Sequence, residues 1–313
     1  MTGTGGPRVA AIDCGTNSIR LLVADLPGAG DGTGALVDVL RRMEIVRLGQ
    51  GVDRTGRLAP AAIERTRLVL AGYAAQIAAL GAGRVRMVAT SATRDAANAA
   101  DFHEMVRATL GVPAEVVTGE AEARLSFDGA VRGLAAPAPY LVCDIGGGST
   151  EFVLGATGVL AACSIDVGCV RMTERHLRSD PPTPAQIAAA SADIGAAVDT
   201  ALAAVGAHRA ATVVGLAGSV TTVAALALGL RRYDPDLIHH SRLSTVDVER
   251  VAADLLGMSR AQRLELPVMH PGRADVIGAG ALILRVVMAR TGAPGLVVSE
   301  HDILDGIAWS LLS

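Results

Sequence analysis

Two short segments of this chain combine the residue types that bind an anion with those that activate its surroundings. Asp13-Cys14-Gly15-Thr16-Asn17-Ser18 and Asp144-Ile145-Gly146-Gly147-Gly148-Ser149 each place an aspartate after an apolar run, a serine five residues later and glycine between them. Asp13 and Asp144, Gly15 and Gly146, and Ser18 and Ser149 are each 131 residues apart. A second apolar run follows both, Ile19 to Val23 and Thr150 to Leu154. The pattern predicts a β-hairpin whose turn presents backbone N–H groups and a hydroxyl. Such a turn binds anions because successive amides converge and glycine admits close approach. One copy is equally an ordinary hairpin. Two in register point to a duplicated unit and two lobes clasping one phosphorylated ligand.

Carboxylates flank these turns. An ionised aspartate at the end of an apolar strand is costly unless it holds a metal or caps the turn, and both readings stand for Asp13 and Asp144. Glu151 interrupts the apolar run after Ser149. With Asp144 it is the kind of set Mg²⁺ takes, one or two carboxylates completed by substrate phosphate. Gly119-Glu120-Ala121-Glu122 opens a helix after a strand. Acids there suit the helix dipole, and a glutamate facing a crevice can equally orient water for attack on phosphorus.

Thr90-Ser91-Ala92-Thr93-Arg94-Asp95 lies between a strand and a helix, where ligands of open α/β sheets gather, and Arg94 suits a bidentate phosphate contact. Gly215-Leu216-Ala217-Gly218-Ser219 is another strand-to-helix turn. Gly218 and Ser219 there fit a phosphate or nucleotide, or simply a tight connection. His239-His240 falls in a polar loop and reads as solvated. No serine nucleophile elbow occurs, so serine hydrolysis has no support.

The remaining composition narrows the class. The chain has 313 residues, 50% hydrophobic and 19% charged, with a net charge of −3. Its 28 basic residues are all arginine, which excludes a Walker-type lysine, a Schiff base and a lysine base. A near-neutral balance with 2% aromatics argues against nucleic acid as a partner. Cys14, Cys143, Cys163 and Cys169 form no CxxC pair and read as reduced cysteines of a cytoplasmic protein. Met1 to Pro7 has no export-signal pattern. The uncharged stretch Ala210 to Leu230 is long enough to span a bilayer, but its glycines and hydroxyls predict a strand, a turn and a helix instead.

Elements alternate along the chain. Helices are expected at Pro60 to Leu80, Asp95 to Leu110, Glu120 to Val131, after Pro184, from Ser219, at Val246 to Met258, Arg273 to Arg290 and Ile303 to Leu312. Strands are expected at Val85 to Ala89, Ala114 to Thr118, Ala211 to Leu216 and Gly295 to Val298. This order predicts an α/β protein with covered sheets, its boundary near Arg132 to Pro139.

With these residues assembled, the chain resembles the Ppx/GppA phosphatase family, exopolyphosphatases and guanosine pentaphosphate phosphohydrolases of the actin-like ATPase superfamily. The likeness runs in order through Ile12 to Arg20, Ala92 to Asn98, Glu122 to Leu125, Asp144 to Glu151, Gly218 to Thr222 and Arg273 to Ile277. It implies two ribonuclease-H-like lobes around a central cleft, residues 1–131 and 132–313, with the last helix packing back on the first lobe. By family position Glu122 would orient or deprotonate the attacking water. Asp144 and Glu151, with Asp13 as a further candidate, would hold Mg²⁺ or a comparable divalent ion. Asn17, Ser18, Arg94, Gly146, Gly147, Gly148 and Ser149 would bind phosphate oxygens.

The implied reaction is hydrolysis of the terminal phosphoanhydride of polyphosphate, without a phosphoenzyme. The absence of the extra helical domain of longer members sets the expectation of short chains as substrate. Two other readings are a pppGpp 5′-phosphohydrolase of the stringent response and a binding or regulatory protein with little turnover. A homodimer follows by analogy alone, and no membrane partner is expected. The sequence departs from the family at Ala121, where a second glutamate is usual, and at Leu304-Asp305-Gly306, where the family has Arg-Glu-Gly.

Overall fold

The computed structural model describes residues 6–28 and 34–312, so most of the segment examined for an export signal lies outside the described residues. Two compact units are present, one made of Met1–Gly129 with Ile303–Ser313, the other of Ala130–Asp302.

In the first unit β1 (Arg8–Cys14), β2 (Ser18–Asp25) and β3 (Val37–Ile45) form an antiparallel meander. β4 (Arg84–Ala89) then adds parallel to β1, and β5 (Ala114–Val116) parallel to β4, giving the order β3-β2-β1-β4-β5. The second unit repeats this. β6 (Tyr140–Ile145), β7 (Thr150–Gly155) and β8 (Val159–Ile165) form the meander, and β9 (Thr212–Leu216) lies parallel to β6. β10 (Arg242–Ser244) and β11 (Gly295–Val298) complete the sheet in the order β10-β11-β9-β6-β7-β8. Apart from the added edge strand β10, the two sheets share one ribonuclease-H-like connectivity. The duplication read from two short motifs therefore extends to whole sheets.

Helices cover both faces of the first sheet, and strand periodicity shows it. Ala10, Ile12 and Cys14 of β1 join one apolar cluster with Leu70, Tyr73 and Phe102. Val9 and Ala11 join another, with Ile303, Leu304, Ile307 and Ala308 of the last helix, Ile303–Trp309. The helix Pro60–Leu80 begins with proline in its first turn and ends at Gly81, whose φ of 69° closes it. Asp305 of the last helix is buried and accepts from Arg41 Nη1 at 3.3 Å and Nη2 at 2.5 Å, tying that helix to β3. Asp305 thus carries a structural ion pair.

The helix expected from Asp95 begins later. Ser91–Arg94 is a separate short helix and the next runs Ala99–Leu110. Between them the buried Asn98 side chain acts as a backbone surrogate: its Oδ1 accepts from Leu58 N–H at 2.8 Å and its Nδ2 donates to the Leu58 carbonyl at 3.1 Å. The stretch Ala210 to Leu230 resolves into β9 and the helix Ala217–Ala227. By length and composition alone, the helix Pro184–Val205 could cross a membrane. Here its residues Ala190, Ile194, Val198 and Ala201 belong to the core of the second unit.

Phe102 has no exposure and packs within the first core. Phe102→Ala should lower unfolding stability by about 3–5 kcal/mol, read as a shifted denaturant midpoint with an unchanged slope.

Candidate functional site

Strand register sets the candidate site of the first unit. β1, β4 and β5 are parallel, with Cys14 beside Ala89 and Ala89 beside Val116, so their carboxyl ends form one edge. The hairpin Gly15 to Ser18, the helix bearing Arg94 and the helix Gly119–Val131 bearing Glu122 all leave from that edge. Arg94 Nη1 donates to the Val117 carbonyl at 3.0 Å and to Glu122 Oε2 at 3.1 Å. Glu122, 8% exposed, sits in a helical turn started by Thr118, whose carbonyl accepts from Glu122 N–H at 2.9 Å and whose hydroxyl accepts from Ala121 N–H at 3.2 Å. The sequence-expected base and the sequence-expected phosphate arginine are therefore in contact.

The candidate site of the second unit has the same logic. Asp144 lies beside Leu216 across the parallel β6–β9 pair, and Val298 of β11 beside Gly215. The hairpin Gly146 to Ser149 and the turn to the helix Ala217–Ala227 leave from this edge. Ala217 has a φ of +65°, a left-handed conformation that a non-glycine residue adopts only when its surroundings enforce it. Arg273, quoted in the sequence only as part of a motif, donates from Nη1 to the Gly218 carbonyl at 3.1 Å and to Thr222 Oγ1 at 3.3 Å. Ser219 is buried. The residues expected at this turn are thus braced by a guanidinium that spacing could not reveal.

The two hairpins are the same object. Gly15 N–H donates to the Ser18 carbonyl at 2.9 Å, and Gly146 N–H to the Ser149 carbonyl at 3.0 Å. The amides of Thr16 and Asn17 in the first turn, and of Gly147, Gly148 and Ser149 in the second, have no backbone acceptor among the described residues. Unpaired amides gathered on one turn form a site for an anion. Cross-strand pairing then separates the copies. Asp13 faces Arg20 in β1–β2, whereas Asp144 faces Glu151 in β6–β7.

In the first hairpin the pair is an ion pair, with Arg20 Nε at 3.0 Å and Nη2 at 2.7 Å from Asp13 Oδ2. In the second it is two carboxylates on one face, Asp144 8% and Glu151 1% exposed. Directly opposed side chains have Cβ atoms about 5 Å apart, where like charges repel. A divalent cation would relieve that repulsion, and an all-oxygen set suits Mg²⁺. Glu151 Oε1 also accepts from Ser164 Oγ at 2.8 Å, which orients it. Among the described residues no group of three or more His, Cys, Asp or Glu side chains could hold a metal ion, and Mg²⁺ ordinarily keeps waters and substrate phosphate beside one or two carboxylates.

His239 and His240, expected to be solvated, instead stack at 3.7 Å between ring centroids, and His301 lies 4.4 Å from His239. Burial raises the Cys14, Cys143 and Cys169 thiols above the usual range, so they stay protonated.

Removing Arg20 would leave a buried carboxylate without its facing guanidinium. Arg20→Met should cost about 3–5 kcal/mol of folding stability, and Asp13→Asn combined with Arg20→Met should recover part of it. Equilibrium unfolding of the three variants checks this coupling.

Comparison with known proteins agrees with the geometry. The profile of the Ppx/GppA phosphatase family matches residues 29–312. Exopolyphosphatase 2 of Mycobacterium tuberculosis is 54% identical to this chain, covering 97% of it and 98% of that protein. The crystal structure of an exopolyphosphatase-like protein superposes with a TM-score of 0.92 at 44% identity, covering 97% of this chain and 98% of the other. An Aquifex aeolicus member of the Ppx/GppA family superposes with a TM-score of 0.82 at 32% identity, covering 98% and 97% of the two chains. The chain belongs to the Ppx/GppA phosphatase family.

Proposed function

We propose that this protein is an exopolyphosphatase, removing the terminal phosphate of inorganic polyphosphate by hydrolysis. The observation that carries the reading is the pair of matched hairpins, each with turn amides open to an anion. Likeness to the Mycobacterium tuberculosis exopolyphosphatase over nearly the full length of both chains supplies the kind of anion.

In this reading phosphate oxygens meet the amides of Gly146, Gly147 and Gly148 and the hydroxyl of Ser149 in one unit. Asn17, Ser18 and Arg94 of the other unit are likewise proposed as phosphate ligands. Gly218 and Ser219 line a further turn at the second sheet edge. Glu122 orients a water molecule, whose oxygen attacks the terminal phosphorus. The bond from that phosphorus to the bridging oxygen breaks, orthophosphate leaves with the new P–O bond, and the chain shortened by one unit keeps the bridging oxygen. Glu122 accepts the proton the water loses. Positioning and charge neutralisation suffice, without a covalent intermediate on the protein.

Asp144 and Glu151 would hold Mg²⁺ or another divalent ion, which when bound neutralises charge developing on the phosphate chain. An ion at Asp13 would compete with Arg20 for Oδ2. Short polyphosphate is the proposed substrate class and a cytoplasmic setting the proposed location.

Phosphate release with Mg²⁺ from short polyphosphate, long polyphosphate and pppGpp tests the reading. It predicts fastest release from short polyphosphate, and release from pppGpp alone would overturn it. Glu122→Gln should lower kcat by about three or more orders of magnitude with little change in substrate affinity, because it removes a group needed chiefly in the transition state. Asp144→Ala and Glu151→Ala should raise the Mg²⁺ concentration for half-maximal activity by about tenfold or more, and metal titrations matching wild type would refute that assignment.

A further inference from the structure

In both hairpins the turn carbonyls are engaged from one side. The Gly146 carbonyl accepts from Cys169 N–H at 2.9 Å, and the Gly147 carbonyl from Val170 and Arg171 N–H at 2.8 and 3.2 Å. The Gly148 carbonyl accepts from Arg171 Nε at 2.7 Å. In the first unit the Thr16 carbonyl accepts from Gly49 N–H at 2.8 Å, and the Asn17 carbonyl from Val46 and Arg47 N–H at 3.1 and 2.8 Å. The donors occupy equivalent places, each in the segment after the third strand of its sheet, β3 or β8. Each segment also contains a glycine pressed against the turn. A Cβ on Gly168 would overlap the Gly147 carbonyl and the Gly148 amide, and one on Gly49 would overlap the Thr16 side chain.

We propose that Arg171 is a positioning residue for the second phosphate hairpin. With Gly168 allowing contact, the segment 168–171 takes the carbonyls of Gly146, Gly147 and Gly148. A peptide unit's carbonyl and amide point in roughly opposite directions, so holding the carbonyls on one side presents the amides of Gly147, Gly148 and Ser149 on the other. The main-chain donors serve the first two carbonyls. Arg171 serves the third with its side chain, which is 12% exposed and has Asp166 3.8 Å from Nη2. It is therefore the point at which a side chain sets the amide geometry. This inference rests on the polyphosphate reading and deepens it, since Arg171 acts through the turn.

The test uses tripolyphosphate with Mg²⁺ and compares wild type with Arg171→Met, Arg171→Gln and Arg171→Lys, with thermal midpoints measured alongside. Arg171→Met should raise KM about tenfold while kcat changes by no more than about threefold, because loosened amides weaken phosphate binding more than they alter the attacking group. Arg171→Gln keeps an N–H donor for the Gly148 carbonyl without charge and should recover most of the lost affinity. An unchanged KM in folded Arg171→Met overturns the proposal. So does a Gln variant as weak as Met beside a Lys variant at wild-type level, which would mean direct charge contact with phosphate.

If Arg171→Met does not fold, the Gln and Lys pair decides by the same comparison. If wild type releases no phosphate, calorimetric binding of tripolyphosphate separates the two claims. Affinity lost in Met and regained in Gln sustains the positioning role while the hydrolase reading fails, and no binding by wild type overturns both.

Discussion

A buried peptide group must have both its carbonyl and its amide accounted for, and the candidate site depends on how that requirement is met in two glycine turns. In each turn neighbouring chain takes the carbonyls, leaving the amides without a backbone acceptor. An amide left this way at a partly exposed turn is open to water or to an incoming anion. Each hairpin can therefore serve its own unit as an anion site as well as a connection, because the segment after the third strand takes its carbonyls and leaves its amides open.

Duplication supplies the frame and divergence supplies the chemistry. Both sheets bring the carboxyl ends of parallel strands to one edge and place the hairpin beside the first parallel strand. At the same cross-strand position, however, one copy carries Arg20 opposite its aspartate and the other carries Glu151. The first aspartate is neutralised internally, while the second keeps a pair of carboxylates whose repulsion a divalent ion would relieve. Glu122, the proposed water-orienting group, is kept in place by Arg94 and by a helical turn begun at Thr118.

Much of this was legible in the sequence because it depends on local pattern. The helix Pro60–Leu80 and the strand Gly295–Val298 match their expected bounds, since proline, glycine and apolar spacing mark them. β3 was not foreseen. It is an edge strand carrying Arg41, Arg42 and Glu44, the charges that keep an edge from pairing with another chain and that hide its periodicity. β8, the corresponding edge strand of the other sheet, escaped for a different reason, its weak alternation between apolar and polar residues. The contacts of Arg94 with Glu122, Arg273 with Gly218 and Arg171 with Gly148 link residues far apart in the chain, and spacing carries no trace of them. The contact of His301 with His239 escaped for the same reason, since it joins segments far apart in the chain.

The central claim is that water attacks the terminal phosphorus of a phosphate chain held by these turns. Hydrolysis of tripolyphosphate in ¹⁸O-labelled water, with mass analysis of both products, tests it most directly. Attack at the terminal phosphorus places one ¹⁸O in orthophosphate and none in pyrophosphate. Label in pyrophosphate would show attack at the inner phosphorus and would contradict the account.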